Sequence, residues 1–137
     1  MSPVLDASVF IAAHSPVERH YALARRAYSM HPDTLPYLVP DLFLVEVMAA
    51  FSRRGEPEAF LETVDALVRG PRFHAVAMDG DLLERAMFVA RRARLRAYDA
   101  VYVALALARD APLLTLDNEV IERSKANFDE FRLYTPG

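Results

Sequence analysis

Three acidic side chains stand alone in apolar runs: Asp6 in VLDASVFIAA, Glu46 in LFLVEVMAAF and Asp99 in YDAVYVALALA. None of the three runs contains a lysine or arginine. A carboxylate buried without a partner costs several kcal/mol, or takes up a proton and loses its charge. A fourth acid, Asp117, directly follows the apolar run Leu113-Leu114-Thr115-Leu116. Four carboxylates gathered in one place would be compensated most economically by one or two divalent cations. Oxygen donors alone, with no Cys and no His in these runs, select hard ions such as Mg2+, with Mn2+ as a substitute, over Zn2+.

Each acid also has a plainer use. Asp6, Asp99 and Asp117 stand where helices begin, so each could cap a helix N-terminus. Glu46 falls inside a helix, where it caps nothing, and its plain alternative is a buried arginine pair. His14, His20, His31 and His74 are scattered and are given no ligand role. The chain has no cysteine, which removes disulfides, thiolate metal sites and thiol nucleophiles.

The elements that must position the acids follow from hydrophobic spacing. Val4-Leu5 reads as a short buried strand ended by Asp6, with a helix over 7–13 stopped near Ser15-Pro16. The spacing predicts a helix over 17–30, a strand over 37–39, and a helix from the N-cap Asp41 to about Arg54. Gly55 ends that helix, and Pro57 sits in the first turn of another over 57–69. A strand over 73–77 precedes a helix capped by Asp79-Gly80-Asp81. After a break near Leu95 a helix covers about 98–109. A strand over 112–116, a helix over 118–125 and a last edge strand over 131–134 complete the order βαα-βαα-βαα-βα-β. Short, non-alternating apolar strands separated by helices predict an α/β fold with a mostly parallel sheet covered on both faces. In such folds the site lies beyond the carboxyl ends of the strands, where Asp6 and Asp117 fall.

Composition agrees with one domain spanning 1–137. The chain has 137 residues, 53% hydrophobic and 26% charged, with no repeat, enough to build a core without staples. The N-terminus has no basic leader, and no apolar run approaches the roughly 20 residues that span a bilayer. A soluble, cytoplasmic protein with no membrane partner is expected. The formal net charge of −3 argues against a generic nucleic-acid coat. Setting the four acids aside turns −3 into +1, so the remaining surface is slightly basic.

With the acids and elements in place, the chain resembles the PIN-domain family, and most closely the VapC-type toxins of toxin–antitoxin pairs. The resemblance rests on VLDASVF (4–10), PDLFLVEVMAAF (40–51), RLRAYDAVYVALA (94–106) and APLLTLDNEV (111–120), in family order along essentially the whole chain. It implies a PIN-like three-layer α/β/α sandwich with a central, mostly parallel sheet, and a Mg2+-dependent endoribonuclease that hydrolyses RNA phosphodiester bonds. Asp6, Glu46 and Asp99 match the three most typical acidic positions of the family, and Asp117 matches the more variable fourth. Ser8 and Thr115 match the small hydroxyl residues that flank such sites.

On this reading Asp6 and Asp99 bind metal directly. Glu46 binds metal or positions the attacking water, Asp117 acts through water, and Ser8 and Thr115 support the ligands from behind. Arg91, Arg92, Arg94 and Arg96 cluster before Asp99, and Arg53-Arg54 end the Glu46 helix; these could contact RNA phosphates, or form a solvated helix face. The aromatic residues at helical spacing are assigned to the core. The resemblance further implies a homodimer inhibited by a cognate VapB-like antitoxin, with the helices over 17–30 and 41–69 as candidate interfaces. The alternative from a different class is a catalytically silent PIN-like module that only binds RNA or protein.

Overall fold

The computed structural model describes residues 1–135. The chain runs β1 (Val4–Leu5), α1 (Ala7–Ala13), α2 (Tyr21–Ser29), β2 (Tyr37–Pro40), α3 (Leu42–Arg53), α4 (Glu58–Val68), β3 (Phe73–Val76), α5 (Gly80–Ala93), α6 (Ala97–Ala108), β4 (Leu113–Leu114) and α7 (Asn118–Asn127). The strands form one parallel sheet in the order β3-β2-β1-β4. This is the expected α/β sandwich.

Parallel strands buried on both faces require apolar residues at successive positions, and β1 and β4 supply only Val and Leu. Register pairs Val4 with Leu38 and Leu113, and Leu5 with Leu114. The Asp6 amide continues the ladder, donating to the Leu114 carbonyl at 3.1 Å. Asp6 and Thr115 are thereby neighbours at the carboxyl edge.

α6 packs on β1, β2 and β4, and α5 packs on α6. Its run from Ala100 to Ala106 is buried, as expected of a helix apolar nearly all round. α2 and α3 pack on α1, and α4 packs on α3, with α3 against β2. Phe10, Tyr37, Phe43 and Phe73 interlock edge-on and stacked in this core. Gly55 takes φ +77 just past the end of α3, a conformation that favours glycine.

Four expectations need correction. α2 begins at Tyr21, not Val17: residues 15–20 are turns, with Glu18 N–H on the Ser15 carbonyl and Tyr21 N–H on the Glu18 carbonyl. Asp41 does not cap α3; its carboxylate instead accepts from the Met78 amide at 3.3 Å, across the sheet edge. Pro57 is the residue before α4, not part of its first turn. The segment 131–134 makes a single parallel bridge, Leu113 to Leu133, because β4 itself is only two residues long.

Candidate active site

Asp6 leaves β1 in extended conformation and caps α1, with its Oδ1 accepting from the Ser8 amide at 3.2 Å. Its Oδ2 accepts from the Thr115 hydroxyl at 2.8 Å. The Thr115 Oγ1 in turn accepts from the Asp117 amide at 3.2 Å. Asp117 caps α7, its Oδ1 accepting from Glu119 and Val120 amides. The plainer capping role is therefore real for Asp6 and Asp117, and one hydroxyl ties the two caps together. Asp6 is only 8% exposed. Burial pushes its carboxyl pKa up, and the nearby Asp117 charge adds to this, while the Thr115 and Ser8 hydrogen bonds pull it down.

Glu46 projects from α3 and accepts from the Tyr102 hydroxyl at 2.8 Å. Its pKa is pushed up to about 7, by burial first and then by the charges of Asp6 and Asp99. Among the described residues no arginine pairs with it. Asp99 lies in the first turn of α6 and caps nothing. Burial, Asp6 and Asp117 push its pKa up to about 6, against a smaller lowering by Arg96.

All four acids line one open cleft of about 680 Å³, with Ser8, Arg53, Arg96, Val45 and Tyr98 on its walls. None of the four is in an ion pair among the described residues. Residues more than a hundred positions apart are thus drawn to one rim by strand adjacency and by the start of α6. Three neighbouring carboxyls with raised pKa values mark a site that stores electrostatic strain a cation would relieve. Among the described residues, no three Asp, Glu or His side chains are gathered into a ready-made cation cage. The acids line the cleft without forming such a group, so a shared ion would have to draw their carboxylates closer together.

The arginines divide. Arg53 and Arg96 line the cleft. Arg91 and Arg92 lie in the last turn of α5, outside it. Arg94 adopts the left-handed conformation that ends α5, and its carbonyl accepts from Arg123 at 2.5 Å. Arg54 turns away to pair with Glu18 at 2.5 Å and donates to Ser15 Oγ at 2.8 Å.

Two residues escaped the sequence reading. Tyr102 looks like core, and is buried, yet its hydroxyl steers Glu46. Its position one turn after Asp99 was the available signal, because a buried tyrosine needs a hydrogen-bond partner. Tyr98, assigned to the core with the other aromatics, is instead 61% exposed on the cleft wall.

Residues 4–126 match the PIN domain family model. The chain is 30% identical over 130 residues to Ribonuclease VapC3 of Pyrobaculum aerophilum, covering 92% of this chain and 97% of that protein. Its fold is similar to that of Mycobacterium tuberculosis VapC20, a sarcin-ricin loop cleaving toxin, with a TM-score of 0.74 at 20% identity over 96% of this chain and 99% of that one. Rickettsia felis VapBC2 bound to a DNA fragment from its promoter gives a TM-score of 0.65 at 12% identity, covering 98% of each chain.

Proposed function

The chain belongs to the PIN domain family, and from that premise we propose that it is a VapC-type endoribonuclease toxin that hydrolyses RNA phosphodiester bonds with a divalent cation, Mg2+ or Mn2+. The observation that carries this reading is the convergence of Asp6, Glu46, Asp99 and Asp117 on one cleft without an ion pair among the described residues. The donor set is all oxygen and partly desolvated, which suits a hard cation. Asp6 and Asp99 would hold it, with Glu46 and Asp117 completing the set directly or through water. Such a cation lowers the pKa of a bound water and offsets charge developing on phosphate oxygens.

The chain's own residues supply the rest. Thr115 and Ser8 fix the Asp6 carboxylate by hydrogen bonds to both of its oxygens. Tyr102 holds Glu46 in one orientation, from which its carboxylate can take a proton from the attacking water. Arg53 and Arg96 stand on the cleft walls where they can contact phosphates of the RNA.

A VapB-like antitoxin partner is supported by the toxin–antitoxin character of the VapBC2 relative. The candidate interface helix α2 exposes Leu23, and Met30 is exposed just past its end. A homodimer is supported by α5, which exposes Leu83, Met87 and Phe88 as an apolar strip away from the cleft. No helix among the described residues is long and apolar enough to cross a membrane.

The test is cleavage of labelled single-stranded RNA by the wild type and Asp99→Asn, with Mg2+, Mn2+ or chelator. Cleavage by the wild type alone, abolished by chelator, is expected. RNA or protein binding without metal-dependent cleavage would favour the silent-module alternative.

A further inference from the structure

Beside the acid cleft lies a second depression of about 480 Å³, lined by residues that include Ser8, Arg19, His20, Asp117 and Asn118. Ser8 and Asp117 line both depressions, so the two meet across the start of α1 and form one groove, with the acids in its first half and Asp117 at the junction. The outer wall of the second half is the α1–α2 connection. We propose that this connection is a substrate-binding wall, on which Arg19 and His20 hold backbone phosphates of single-stranded RNA on one side of the cleaved bond. The inference rests on the ribonuclease reading and adds a subsite to it.

Charge and support both point this way. Glu18, next to Arg19, is neutralised by Arg54 at 2.5 Å, whereas Arg19 has no hydrogen bond or ion pair among the described residues. The wall therefore presents one uncompensated guanidinium, with the exposed imidazole of His20 and the neutral amide of Asn118 beside it. In the half that holds the acids, Arg53 and Arg96 are likewise outside any ion pair among the described residues. A small anion would occupy one half of such a groove; a chain of phosphates can use both. Tyr98 offers a ring face on the cleft wall, which suits an unpaired base better than a duplex. The wall is also braced: Arg54 bonds Glu18 and Ser15, and the Ser15 hydroxyl donates to the Ile11 carbonyl at 2.6 Å. A loop fixed in this way from α3 and α1 can hold a strand in register at modest entropic cost.

The experiment measures steady-state cleavage of labelled single-stranded RNA in Mg2+ over a salt series, for wild type, Arg19→Ala and Arg26→Ala. Arg26 is exposed on α2 and lines neither half of the groove. Arg19→Ala is expected to raise KM roughly three- to tenfold with kcat within about twofold. Its log(kcat/KM) against log[salt] should flatten by about 0.7, the value for one lost phosphate contact on a single strand. Arg26→Ala should match the wild type. If Arg19→Ala also matches it, or loses kcat with KM unchanged, the subsite is overturned while the ribonuclease reading stands. A wild type that neither cleaves RNA nor shifts its anisotropy would overturn both.

Discussion

Tyr102 on α6 donates its hydroxyl to Glu46 on α3 at 2.8 Å, joining two helices across the cleft through the acid furthest from any cap. The phenol is buried, and the neighbouring Glu46 charge and burial both push its pKa well above the usual tyrosine range. It stays protonated and donates whatever the state of Glu46. Glu46 is thereby held in one orientation while its own proton remains exchangeable near neutrality.

Tyr102→Phe keeps the ring and removes only the donor. Stability should fall by about 0.5–1.5 kcal/mol, the usual net worth of one hydrogen bond. Metal-dependent RNA cleavage should fall roughly 10- to 100-fold, as for other groups that orient a metal-site carboxylate. In the metal-free protein the Glu46 pKa should also move upward, because the bond that lowers it is gone. Unchanged activity with reduced stability would leave Tyr102 a packing residue.

Stability without metal should depend on pH in an unusual direction. Glu46 and Asp99 have folded pKa values of about 7 and about 6, above their ordinary values of 4.5 and 3.8. The native state therefore holds more protons than the unfolded state in that window. The stability from these two groups is full below about pH 4 and is lost as pH rises to about 7. Urea unfolding in chelator at pH 5 and pH 8 measures this. Glu46→Gln should reduce the decline by roughly 1 kcal/mol, after allowance for the partial exposure of the site. A difference between the two pH values that is the same in both proteins would contradict the assignment.

Asp6→Asn separates metal binding from capping. Asparagine can still accept from the Ser8 amide, and the desolvated charge is removed. The metal-free variant should melt at or above the wild-type temperature. Mn2+ should raise the melting temperature of the wild type by more than that of the variant. A loss of about 2 kcal/mol in the metal-free variant would contradict the burial penalty on the Asp6 charge.

Pairing through α5 is tested by Phe88→Glu. Phe88 is largely exposed beside a groove it shares with Phe128, so the change should leave the monomer fold intact. Sedimentation should show a dimer for the wild type and a monomer for the variant. A wild type that is monomeric, or a variant that remains dimeric, places any self-association elsewhere.

Most of the architecture was legible because burial on both faces writes itself as apolar runs. The α6 run is apolar nearly all round, and it was readable as a buried helix with one misplaced acid. Asp6, Glu46, Asp99 and Asp117 were legible for the same reason, as charges where the pattern allows none. What escaped depends on contacts between distant segments. Val17 to His20 has helical spacing, yet Arg54 from α3 takes Glu18 and Ser15 and the segment stays a turn. Arg91, Arg92, Arg94 and Arg96 are close in sequence, but the left-handed turn at Arg94 and the start of α6 separate them, and only Arg96 reaches the cleft. Tyr102 and Tyr98 are four residues apart with one buried and one exposed, a difference set by what α6 packs against.

Carboxylates from four distant segments are proposed to hold a divalent cation between them, Asp6 and Asp99 directly. Calorimetric titration of Mn2+ into the metal-free wild type, Asp6→Asn and Asp99→Asn at pH 7.5 measures it. Saturable binding by the wild type is predicted, weakened at least about tenfold in each variant. Equal affinity in all three proteins, or no saturable binding by the wild type, would contradict it.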